Sequence, residues 1–74
     1  MKLIPVKTRI VVKTHENSDG YECDHEYVFV EMSETKKFVS GEFATDAYGI
    51  CHMKSYYETI TEISEQTEYE INYD

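Results

Sequence analysis

Two runs rich in β-branched and aromatic residues, Arg9-Ile10-Val11-Val12-Lys13 and Glu26-Tyr27-Val28-Phe29-Val30, flank the polar segment Glu16-Asn17-Ser18-Asp19-Gly20. Such runs suit a pleated, half-buried surface. Asp-Gly between them signals a type I′ turn, which needs positive φ at both central positions; glycine provides this without a Cβ clash. A two-residue turn sets Ser18 against Tyr21, and the register follows by counting. Ile10 then opposes Phe29, Val12 opposes Tyr27 and Thr14 opposes His25 on one face. Lys13–Glu26, His15–Asp24 and Val11–Val28 lie on the other. Each such pair contributes about 0.2–1 kcal/mol, and a one-residue slip would reverse the faces. The longer Glu16–Gly20 loop is the alternative, with a different pairing.

Beyond the hairpin, Ser33–Lys36 reads as a polar turn, and 37–43 as a third strand with Gly41 at a bulge. A helix through Val39, Phe43 and Ala47, spaced by four, is the competing reading. Thr45-Asp46 has the form of a helix start, with Thr45 as N-cap, predicting a helix over 45–57. Residues 58–64 and 68–73 read as extended, either two short strands or one long bent one. Glu68–Tyr73 alternates with the period of a half-buried strand. A stripe of Tyr56, Ile60, Ile63 and Thr67 would instead suit a helix, but the β-branched residues there are stiff in one. The expected fold is α+β: a small antiparallel sheet, β-β-β-α-β with a fifth strand in view, and one helix packed on one face.

Seventy-four residues predict a single small domain, 1–74, with a radius of gyration of roughly 11 Å. Its core should be thin, because so short a chain buries only about 60% of its unfolded surface. Two cysteines are too few for a disulfide framework. No apolar stretch reaches secretory or membrane-spanning length, so the expected location is the cytoplasm, without membrane contact.

The net charge is −8 and unevenly placed. Residues 1–13 hold four basic residues and no acid, 14–35 hold seven acids without Lys or Arg, and 55–74 hold six acids without a base. This balance disfavours direct contact with nucleic acid and favours a basic protein partner.

Candidate chemistry is sparse. Cys23-x-His25, Cys51-His52 and His15 could supply metal ligands, but the spacing is not that of zinc sites, and small buried thiols with polar or half-buried histidines are the preferred reading. Cys51 beside His52 lacks the hydrogen-bonded geometry that a nucleophile and base require. No cofactor, metal site or catalytic residue is therefore expected. Glu22, Asp24 and Glu26 alternate along one strand face at about 6.7 Å intervals. Such a row is an ordinary solvated surface or an imitation of phosphates. Seven tyrosines and no tryptophan suit an interface, or a small core with hydroxyls at its rim.

The chain thus reads as a non-catalytic, acidic protein-interaction module. Glu58, Glu62, Glu65, Glu68 and Glu70 are the expected contact charges, and Tyr56 or Tyr57 the anchor. In size and composition it resembles small phage-encoded host-modulating proteins, including inhibitors that mimic nucleic acid. That resemblance carries no residue roles. The alternative is a structural homodimer, formed through a strand edge or the face bearing Val11, Val28 and Val30. A Cys/His metal protein is the weaker alternative.

Overall fold

The computed structural model describes residues 1–73. Most of the chain lies in antiparallel sheet, with one short helix. In chain order the elements are β1 (Lys2–Ser18), β2 (Tyr21–Phe29), α1 (Met32–Val39), β3 (Ala44–Thr45), β4 (Cys51–His52) and β5 (Glu58–Asn72). The main sheet runs β2-β1-β5, while β3 and β4 form a separate two-stranded ladder.

The β1–β2 hairpin has the register that Asp19-Gly20 implies. Ser18 pairs with Tyr21, Val12 with Tyr27 and Ile10 with Phe29. Asp19 (φ 48°) and Gly20 (φ 82°) both adopt the left-handed backbone that this turn requires. Lys13 stands opposite Glu26 in register, but its ammonium turns to Glu62 on the other neighbour, Nζ–Oε2 3.4 Å.

The helix lies earlier than the sequence suggests. Residues 33–36, read as a turn, and 37–39, read as the start of a strand, form α1, which buries Thr35 and Phe38 three residues apart. Gly41 (φ 88°) is the stop signal and not a bulge. Its N–H donates to the Phe38 carbonyl, and the next N–H, of Glu42, donates to Lys37 (3.1 and 2.8 Å). This is a Schellman closure, which favours glycine at its left-handed position. Gly41→Ala is expected to cost about 1–2 kcal/mol, measurable as a lowered midpoint in chemical denaturation.

The expected helix over 45–57 is absent. Asp46 sits in the tight connection between β3 and β4, where its carboxylate accepts from the N–H groups of Tyr48 (2.8 Å) and Ile50 (2.9 Å). Aspartate favours such side-chain-to-backbone turns as readily as helix starts, and Gly49 at φ 81° closes this one. The element order is therefore β-β-α-β-β-β and not β-β-β-α-β. The extended reading of the C-terminal region holds, as one strand. It carries an extra residue at Thr61, where Lys13 pairs with Glu62 but Thr14 with Ile60.

The core is small: Ile10, Val12, Phe29, Phe38 and Ala44, with Tyr27 and Ile60 packed against it. It occupies the middle of a long molecule of 57 × 22 × 16 Å and radius of gyration 15.1 Å, well above the compact expectation. The cause is β1, whose 17 residues at about 3.3 Å each run the length of the molecule. Only Ile10–Ser18 of it meets β2. The segment from Lys2 to Arg9 pairs with β5 alone, as a two-stranded ribbon.

Candidate protein-interaction end

Opposite the ribbon, the sheet ends in the Asp19-Gly20 turn. From Glu16 to Glu26 the chain supplies Glu16, Asp19, Glu22, Asp24 and Glu26 without a Lys or Arg, while Lys13 stands opposite Glu26 and Lys54 donates to the Ser55 and Glu58 carbonyls at the base of the neighbouring loop. Register places Glu22, Asp24 and Glu26 on one face of β2, because alternate residues share a face. Asp24 and Glu22 carboxylates are well exposed (86% and 61%). His15 partly answers them, with Nδ1 2.7 Å from Asp24 and Nε2 3.6 Å from Glu22. The hydrogen bond to Asp24 raises the imidazole above its ordinary pKa, opposed by desolvation and assisted by Glu22.

Tyr56 and Tyr57 reach the same end. The N–H of Asn17 donates to the Tyr57 carbonyl (3.2 Å), which fixes the loop before β5 beside the hairpin turn. The two rings meet edge to face, 5.5 Å between centroids, and Tyr56 is 93% exposed. Tyr21, also exposed, follows the turn. Acidic groups and unburied aromatics are thereby gathered at one extremity.

Beneath them, Glu58 is almost fully buried, 6% exposed. Its Oε2 accepts from Thr14 Oγ1 (2.7 Å) and the Tyr27 hydroxyl (2.9 Å), and its Oε1 from the Ser55 N–H (3.0 Å). Burial acts to raise this carboxyl's pKa, but the bonds from Ser55, Thr14 and Tyr27, with His25 nearby, hold it below the usual carboxylate range. Tyr27 is pushed up to about 12 by burial and by its bond to Glu58. Glu58 thus ties β1, β2 and the tyrosine loop together.

The acids expected to form one docking row on β5 are separated by the structure. Glu58 is internal and withdrawn from the surface. Glu62 is bridged to Lys13 and Glu68 to Arg9, whose Nε lies 3.2 Å away without an aligned hydrogen bond. Glu65 stands opposite Ile10 on the face that carries α1, and Glu70 lies far along the ribbon opposite Ile4. Sequence reasoning identified the β2 row but had no means of knowing that β1 would supply bases to β5. The face expected to pair between copies is also partly closed, since Val11 is buried within the chain.

Comparisons with known proteins add nothing here. No family model, curated protein or solved structure matches the chain.

The remaining candidates are dispersed. Cys51 is exposed and Cys23 half-buried, both as free thiols. Adjacent strand residues point to opposite faces, and His52 Nε2 is engaged by Asp46 Oδ2 at 2.7 Å. Burial raises the Asp46 carboxyl, but the Ile50 N–H, the His52 imidazole and the Tyr48 N–H hold it below its ordinary value. Among the described residues no three His, Cys, Asp or Glu side chains converge as metal ligands. An open hollow of about 370 Å³ is lined by Lys13, Thr14, Asp24, His25, Glu26 and Thr61. Among the described residues no helix is long and apolar enough to cross a membrane.

Proposed function

We propose that the protein is a non-catalytic interaction module that docks its acidic, tyrosine-rich hairpin end onto a basic protein surface. The observation that carries this reading is that the Tyr56-Tyr57 loop is tied to Asn17, the strand partner of Glu22, so the tyrosines and the start of the Glu22–Asp24–Glu26 row share the hairpin end. Carboxylates at about 6.7 Å along a strand match every second phosphate of a DNA strand, about 6.8 Å along its axis. The partner is accordingly read as a protein whose own surface binds nucleic acid. Tyrosine beside carboxylates suits arginine, whose guanidinium pairs with the acid and stacks on the ring.

Charge and aromatic contributions separate by experiment. The immobilised protein is exposed to host proteins at low salt and eluted with a salt gradient. A basic protein is expected to elute late. Glu22→Lys with Asp24→Lys should slow its association and flatten its salt dependence. Tyr56→Ala should cost about 2 kcal/mol of affinity with the salt slope unchanged. A genuine partner indifferent both to salt and to charge reversal overturns the reading.

A further inference from the structure

At the far end of the molecule, the ribbon has two unlike faces. Register places Lys2, Ile4, Lys7 and Arg9 of β1 with Gln66, Glu68, Glu70 and Asn72 of β5 on the outer face. The extra residue Val6 shifts the phase, so Leu3, Pro5 and Thr8 join Thr67, Tyr69 and Ile71 on the other. That second face continues the one which, further along β1, packs its Ile10 and Val12 into the core. In the ribbon it is uncovered: Leu3 is 63% exposed, Tyr69 58% and Ile71 45%. A two-stranded ribbon open on both faces is marginal in water, so this face needs a cover.

We infer that the cover is the same face of a second copy, the two ribbons stacked antiparallel about a two-fold axis. The face is self-complementary. With Pro5 and Tyr69 at the axis, the larger Leu3 and Ile71 of one copy lie over the smaller Thr8 and Thr67 of its mate, and Tyr69 meets Tyr69. None of the six residues is ionised, as in the inner face of a two-layer sandwich; the charges of Lys2 to Arg9 lie on the outer face, and the nearest charge on the stacked face is Glu65, opposite Ile10 where the ribbon joins the sheet. The antiparallel arrangement also sends the two acidic hairpin ends in opposite directions, so their repulsion is least.

The strand edges are less suitable. Pro5 has no N–H to contribute and Val6 interrupts the ladder, two features that blunt an edge. Pairing β5 with its own copy would bring acidic edges into contact. Six residues a side is well below the roughly 20–30 of a standard interface, so the stack is a weak, concentration-dependent dimer.

Sedimentation equilibrium across micromolar concentrations should show monomer and dimer in exchange. Tyr69→Lys should weaken the dimer by about tenfold or more, a change of about 1.4 kcal/mol. Ile4→Lys, on the outer face of the same ribbon, should leave it unchanged. A wild-type chain that stays monomeric, or an Ile4→Lys variant as weak as Tyr69→Lys, overturns the inference. A mixed-isotope NMR sample of wild type needs no substitution: contacts from Leu3 methyls of one copy to Thr8 of the other are expected, and a dimer lacking them also overturns it. The hairpin end takes no part, so this result stands or falls separately from the proposed function.

Discussion

Phe38→Ala should leave little of the native state. Phe38 is fully buried, with its ring 4.6 Å from Tyr27 and 5.4 Å from Phe29 between centroids. Truncating a buried phenylalanine costs about 3–5 kcal/mol, as lost transfer energy and a residual cavity. At roughly 0.05–0.15 kcal/mol per residue, a chain of 74 residues has about 4–11 kcal/mol in total. Phe38 is also the buried apolar residue by which α1 holds the sheet, so the helix has little else to keep it in place. Chemical denaturation followed by circular dichroism should show a midpoint near zero denaturant, or no cooperative transition. A loss under about 1 kcal/mol would mean that α1 does not complete the core.

Glu58→Ala should have the next largest effect, by a different physical route. Its carboxylate satisfies the Thr14 hydroxyl, the Tyr27 hydroxyl and the Ser55 N–H. Alanine leaves these buried donors unpaired and is expected to cost about 3 kcal/mol. Glu58→Gln retains an acceptor and should cost about 1 kcal/mol. Acid dependence distinguishes the charge from the bonds. Because the folded pKa is lowered, Glu58 contributes stability above the ordinary carboxylate pKa and loses it as pH falls through the folded value. The Gln variant should lack that part of the acid limb. Tyr27 acts with the opposite sign: its folded pKa is raised to about 12, so its contribution holds below the ordinary phenol value of 10.0 and is lost as pH rises through about 12. An acid limb identical in wild type and Glu58→Gln would remove the carboxylate from this account.

Legibility followed how local each signal was. Asp19-Gly20 specifies its turn within two residues, and every cross-strand pair of the hairpin follows from it. Gly41 and Asp46 are each chemically consistent with two structures. Gly41 suits a strand bulge or a helix stop, and Asp46 a helix start or a turn. Tertiary packing of Phe38 chose between them. The exposed position of Tyr56 was not legible, since the helix expected over 45–57 included it, and the structure has a loop before β5 there instead. Nor was the pairing of Glu62 and Glu68 with β1, because nothing near those residues reveals that β1 has β5 as its second neighbour. That long-range fact moved the candidate docking surface from the C-terminal acids to those of the hairpin.

The extra residue at Thr61 acts as a phase shifter for the rest of β5. It lets Ile60 and Ile63, three apart, turn to the same side, a spacing that otherwise belongs to a helix. Were evolution to delete one residue there, every later side chain would turn over, sending Tyr69 and Ile71 outward and Glu68 and Glu70 inward. Single-codon losses in this stretch should therefore be purged, while substitutions at solvent-facing positions drift freely.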